Sequence, residues 1–174
     1  LNKNCGLKFK KRFISQSEPM LKKVNKVKTA LIIGSGSIGQ RHIRNLKQIG
    51  INDIIALRTK KGHYKKIPKD LQVIEVGSWD DAIKKKPDIA IISNPTSLHL
   101  EAALSIYKHV KGVFIEKPLS NSLDNCQELI DTLNKNQVVS FVGHNLMFHP
   151  IIKNIIKFYD ENDVGEIINI QCQV

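Results

Sequence analysis

Thr29-Ala30-Leu31-Ile32-Ile33-Gly34-Ser35-Gly36-Ser37-Ile38-Gly39 is the stretch that decides the fold. Four apolar residues run directly into a GxGxxG turn, and an amphipathic segment opens behind it. A strand followed by this turn and a helix is the context the glycine pattern needs in order to mean anything. Gly34 permits the tight turn. Gly36 removes a side chain that would block a pyrophosphate. Gly39 lets the helix pack against the strand. The helix start, with Ser35, Ser37 and Ile38 around it, offers free N–H groups and the positive end of a dipole to phosphate.

Outward from this turn, short apolar runs alternate with helical periods. The spacing predicts strands at Thr29–Ile33, Ile54–Leu57, Leu71–Val76, Ile89–Ile92, Val113–Ile115 and Val138–Val142. Several are nearly continuous Ile, Val and Leu, as expected for strands buried on both faces of a parallel sheet. Helices are predicted from about Ile38 to Ile49, stopping at Gly50, and from about Ser97 to Tyr107, with Ser97 as candidate cap. A third is predicted to carry Leu123, Cys126, Ile130 and Leu133 on one face, and a fourth Ile151, Ile152, Ile155, Ile156 and Tyr159. The fold class expected is α/β, a doubly wound parallel sheet of the Rossmann NAD(P)-binding type. At the end, Ile168, Ile170, Cys172 and Val174 alternate with polar residues. That period of two predicts the first strand of a truncated α+β domain with one wet face. The expected layout is a basic tail over 1–28, a dinucleotide-binding domain over 29–148, and a linking helix with the start of a second domain over 149–174.

The end of the second strand should report the cofactor. A carboxylate about 20 residues past the glycines would bond the ribose 2′-hydroxyl of NAD. Arg58-Thr59-Lys60-Lys61 stands there instead. An arginine fork suits a 2′-phosphate, so Arg58 and Thr59 favour NADP over NAD. Arg58 stacked on adenine beside solvated lysines is the plain alternative. Ser93-Asn94-Pro95-Thr96 follows the fourth strand and Glu116-Lys117-Pro118 the fifth, both at the carboxyl edge where such sheets hold ligands. Asn94 and Pro95 are candidate cofactor contacts, and equally a turn before a cap. Lys117 can donate to a substrate oxygen, and Glu116 can position it. His99 reads as structural.

Composition narrows the classes. The 174 residues carry 41% hydrophobic and 25% charged residues, a globular balance rather than a disordered or collagen-like one. The longest apolar runs are about five residues, against the roughly 20 a bilayer span requires. Cys5, Cys126 and Cys172 are scattered and odd in number, so a disulfide framework is not expected and a cytoplasmic location is. The six histidines lack metal-ligand spacing, and no metal is expected. Residues 1–28 hold nine basic residues and one acid, Glu18, so +8 of the net +11 lies ahead of the first strand. Only Phe9 and Phe13 could stack on bases there, and nucleic acid is not the expected partner.

Several of these residues resemble a known family. Gly34–Gly39, Asn94-Pro95 followed by His99, Glu116-Lys117-Pro118, and Val142-Gly143-His144-Asn145 running to Phe148-His149-Pro150 occur in the order found in the Gfo/Idh/MocA oxidoreductases, named for glucose–fructose oxidoreductase and inositol dehydrogenase. The resemblance covers about Lys28 to Val174. It implies a Rossmann domain ahead of a domain built on an open antiparallel sheet. It also implies hydride transfer between a nicotinamide cofactor and a sugar, cyclitol or related polyol. Lys117 would then be the catalytic or substrate-orienting lysine, ahead of a cis peptide bond to Pro118. Asn94, Pro95 and Glu116 would border the cofactor, and His144 and Asn145 are candidate substrate contacts. Three departures stand out: Arg58 in place of the acid, Met147 where an arginine is common, and a substrate sheet expected beyond Val174. A homo-oligomer is a further expectation, because a lone edge strand at Ile168–Val174 invites association. The competing class is a dinucleotide-binding module or sensor without catalysis.

Overall fold

The computed structural model describes residues 27–58 and 66–162, with Gly165, Ile168, Asn169 and Gln171. Six strands form one parallel sheet: β1 (Thr29–Ile33), β2 (Asp53–Leu57), β3 (Ile74–Val76), β4 (Ile89–Ile92), β5 (Gly112–Ile115) and β6 (Val139–Val142). Their order is β3-β2-β1-β4-β5-β6. This is the doubly wound arrangement, with the order reversing between β1 and β4. Helices among the described residues are α1 (Ser37–Gln48), α2 (Trp79–Lys84), α3 (His99–Ile106), α4 (Cys126–Lys135) and α5 (Pro150–Glu161).

The four central strands, β2, β1, β4 and β5, are apolar almost throughout because both faces are covered, while β3 and β6 at the margins are more exposed and carry Glu75 and Ser140. Leu31, Ile33, Ile55, Leu57 and Ile92 pack with Ile106, Leu129 and Leu133 on one side. Ala30, Ile32, Ile54, Ala56 and Ile91 pack with Ile43 and Leu46 on the other. Alternate residues of one strand thus serve two separate cores, as the pleat requires.

Several predicted elements differ in detail. The third strand is only Ile74–Val76; Lys69–Leu71 forms a 3-10 turn, and Gln72 at φ 43° ends it in the left-handed region. A run of Leu, Val and Ile cannot by itself distinguish a buried turn from a strand. α2 was not anticipated, although Ser78 caps it by accepting from Asp81 N–H at 3.1 Å. Ser97 is not a cap: it lies inside a 3-10 turn, Thr96–Leu98, and α3 starts after it. α4 begins later than its period suggested, after Asn125 at φ 60°, so Leu123 lies outside it and is 90% exposed. Leu129 and Leu133 form its buried stripe, while Ile130 faces out.

The amino edge of the sheet is tied by Asp88, just before β4. Its carboxylate accepts from Lys28 N–H at 2.9 Å, from Thr29 N–H at 3.1 Å and from Lys111 Nζ at 2.6 Å. The Lys111 hydrogen bond above all, then the Lys28 N–H, hold its carboxyl below the usual aspartate range. A depressed folded pKa means the stabilisation is complete above the ordinary value, about 3.9, and is lost as pH falls through the lower folded value. Asp88→Asn is therefore expected to cost about 1–3 kcal/mol near pH 7, by loss of charge-assisted bonds. The difference from wild type should shrink as both are acidified. Urea midpoints at neutral pH and below pH 3.9 check this; an equal gap at both would refute it.

The chain divides into two compact units after Gly143. The second starts with a 3-10 turn, Asn145–Phe148, and continues as α5. Pro150 occupies the first turn of α5, where its missing N–H costs nothing. Ile151, Ile155, Ile156 and Tyr159 recur at helical spacing as predicted and are exposed. The predicted strand at Ile168–Val174 lies largely outside the described residues. No helix among those described is long and apolar enough to cross a membrane.

Candidate functional site

The carboxyl ends of the strands bring together most of the candidates in the first unit. Gly34 leaves β1 at φ +91°, in the left-handed region that disfavours a side chain, and a Cβ there would overlap the Asn94 backbone. Ser93 closes the same junction, donating its hydroxyl to Gly34 O at 2.7 Å while its N–H donates to Ile33 O at 2.8 Å. The turns after β1 and β4 are thereby locked side by side at the point where strand order reverses.

The glycines divide their duties visibly. A Cβ on Gly39 would overlap Gly34 O and crowd Gly34 C at 3.0 Å and Ser93 Oγ at 3.1 Å. Gly39 is therefore required by the packing of α1 on the turn. A Cβ on Gly36 would meet nothing within 4 Å. No protein atom demands a glycine at Gly36, and the open space fits a ligand passing close to the backbone. Gly36 is also the α1 N-cap, with no side-chain bond to the helix N–H groups and no acid in the first turn. Ser37 and Ile38 are exposed at this start, and Ser35 half-buried behind it. Gln40 braces the turn from beneath, donating to Ser35 O at 3.3 Å. An uncapped helix start beside open space suits an anionic group such as a pyrophosphate.

Arg58 follows β2, its N–H donating to Val76 O at 2.9 Å. Its guanidinium is engaged by Glu75 of β3, with Nη1 2.6 Å from Oε2. Arg58 therefore has a carboxylate partner on the neighbouring strand. Thr59 lies outside the described residues.

Asn94 is half-buried and Pro95 exposed. Asn94 donates through Nδ2 to Leu98 O at 3.3 Å, and its Oδ1 is buried with no hydrogen bond. His99 is buried; its Nε2 lies 3.0 Å from Asn94 O and its Nδ1 2.9 Å from Pro118 O. It joins the turns after β4 and β5, the structural role expected of it. The Lys117–Pro118 peptide is cis. Lys117 is exposed at this edge, and its N–H donates to Glu116 Oε2 at 3.2 Å. Glu116 Oε1 is bound by His42 Nε2 at 2.7 Å. His42, Glu75 and Gln40 escaped the sequence reading. Their partners are 74, 17 and 5 residues away, and no local period announces such pairs. His144 and Asn145 belong to the second unit and are exposed there. No group of three or more His, Cys, Asp or Glu among the described residues could hold a metal.

A 3-2-1-4-5-6 parallel sheet with this glycine turn defines a dinucleotide-binding Rossmann fold. Residues 28–144 match the family described as "Oxidoreductase family, NAD-binding Rossmann fold", and the chain belongs to this Gfo/Idh/MocA family. An uncharacterized oxidoreductase, YrbE, of Bacillus subtilis is 29% identical over 148 residues, 77% of this chain and 40% of that protein. The myo-inositol 2-dehydrogenase of Thermotoga maritima is 27% identical over 138 residues, 78% of this chain and 41% of that protein. Among solved structures, myo-inositol 2-dehydrogenase from Lactobacillus plantarum superposes with a TM-score of 0.71 at 25% identity, covering 82% of this chain and 44% of that one. The chain thus spans about two fifths of the length of the curated relatives it matches.

Proposed function

We propose that this chain is the cofactor-binding portion of an NADP-preferring oxidoreductase that moves a hydride between the nicotinamide and a CH–OH group of a sugar, cyclitol or related polyol. The observation that carries the reading is the open space at Gly36 before an uncapped helix, on the edge that also presents Lys117. Within it, the first compact unit, which ends at Gly143, is the dinucleotide-binding part, and the segment after it leads into the substrate domain. The bound nicotinamide supplies or accepts the hydride. Backbone N–H groups of Gly34 through Gly39 hold the pyrophosphate, Arg58 and Thr59 the adenosine 2′-phosphate, and Asn94 and Pro95 border the cofactor. Lys117 donates a hydrogen bond to the substrate oxygen and stabilises it while charge changes there, and Glu116 orients Lys117 through the backbone. His144 and Asn145, in the segment after β6, remain candidate substrate contacts of the second unit.

Fluorescence titration of the chain with NADPH and with NADH tests the cofactor reading. NADPH is expected to bind more tightly. Arg58→Ala should weaken NADPH by about tenfold, the value of one charge-assisted contact, with little effect on NADH. Glu75→Gln should strengthen NADPH relative to NADH by about fivefold, since it removes a negative charge beside the 2′-phosphate. Tighter binding of NADH by the wild-type chain would overturn the NADP preference, and binding of neither would overturn the cofactor reading. Turnover of a panel of sugars and cyclitols, lost in Lys117→Ala, separates the enzyme from a silent binding module.

A further inference from the structure

We infer that His42 is a positioning residue for Lys117, reaching the lysine turn from the same helix that starts at the glycine loop. The inference rests on the reading of Lys117 as the group that meets the substrate oxygen. Both oxygens of Glu116 are committed within the protein: Oε1 to His42 Nε2 at 2.7 Å, Oε2 to Lys117 N–H at 3.2 Å. A carboxylate only accepts, so His42 carries its proton on Nε2 and donates it to this bond. The pair is shielded, with the His42 side chain 16% and the Glu116 side chain 14% exposed. Its surroundings hold it in place. The His42 ring meets Phe114 edge-on at 5.2 Å between centroids, and Phe114 stacks on Phe141 at 5.8 Å. Gly143 leaves the room: a Cβ there would press on Phe114 Cζ at 3.0 Å and stand 3.4 Å from Glu116 Oε2.

The consequence is a shared reference frame. α1 begins at the proposed pyrophosphate seat, and about one and a half turns further on its histidine fixes the carboxylate that orients the Lys117 backbone. The seat of the cofactor and the lysine that faces its reacting end are therefore registered to one helix. Glu116, held at both oxygens, is a bracket rather than a proton carrier.

The test compares the whole chain with His42→Leu, His42→Gln and Glu116→Ala. Residue-resolved amide exchange follows the Lys117 N–H. Competitive acetylation by acetic anhydride, mapped by peptide mass, follows the Lys117 amine against Lys111. Losing the bracket should speed Lys117 amide exchange by about tenfold in His42→Leu and in Glu116→Ala, with β5 amides unchanged. The Lys117 acetylation rate should shift relative to Lys111 in the same two variants. His42→Gln keeps an N–H donor and should restore both readings, which a change of packing alone would not do. Wild-type Lys117 exchange and acetylation in His42→Leu, or His42→Gln behaving like His42→Leu, would overturn the inference. If His42→Leu loses protection throughout β5, Glu116→Ala decides, and an unchanged Lys117 there overturns it equally. Parallel NADPH titration keeps the cofactor reading separate: its failure leaves the exchange comparison intact and removes only the catalytic meaning of the bracket.

Discussion

Gly39→Ala is expected to abolish measurable NADPH binding and to destabilise the first unit by about 1–3 kcal/mol or more, the range for forcing a methyl into packed surroundings. The obstacle is backbone, not a flexible side chain. The new Cβ would overlap Gly34 O, and only a shift of α1 or of the β1 turn relieves it. Either shift displaces the N–H groups proposed to hold phosphate. Gly36→Ala is the necessary companion. Its Cβ meets nothing within 4 Å, so stability should stay within about 0.5 kcal/mol, as for an ordinary surface change. Binding should nevertheless weaken by about tenfold or more, because the methyl occupies space assigned to the pyrophosphate. Urea denaturation and NADPH titration on both variants separate the two duties. Undiminished NADPH binding by Gly36→Ala would mean that the open space is not the phosphate seat.

The second large effect lies in the core. Ile92→Ala is expected to cost about 2–5 kcal/mol, the range for such a truncation in a packed interior. Ile92 is fully buried in β4, flanked by β1 and β5, at the register position opposite Ile33 and Ile115. The same truncation at Ile130, 42% exposed on α4, should cost about half of that, in proportion to the area it hides. Paired urea midpoints check the contrast. Equal losses would mean that Ile130 belongs to the buried stripe with Leu133, as its sequence period suggested, rather than Leu129.

Much of this architecture was legible because it is written in short-range signals. Ala30–Ile33 and Ile89–Ile92 are continuous apolar runs, and the glycine turn sets the helix after β1. The parallel sheet and the placing of Gly34, Asn94 and Lys117 on one edge follow from strands alternating with helices. The features that escaped notice depend on distance or on backbone state. α4 starts where Asn125 takes a left-handed conformation, which an apolar period over Leu123 and Cys126 does not encode. The His42–Glu116 pair joins residues 74 apart, and Arg58–Glu75 joins the ends of two strands. Arg58 illustrates the cost of reading position alone. It stands where the cofactor acid was sought, and its position does not announce that it pairs with a carboxylate on β3.

Asp88 has a practical consequence for handling the molecule. It fastens the chain at Lys28 and Thr29, so everything upstream leaves from the amino edge of β1. The five residues of β1 put that exit about 17 Å from the glycine turn, at the usual rise per strand residue. A fluorophore or linker attached to the exposed Lys28 side chain therefore sits at the amino edge of the sheet, remote from the edge where ligands are expected. Such a label can serve as a neutral handle for immobilisation in binding assays. A label placed after β4 or β5 would report on the site only by disturbing it.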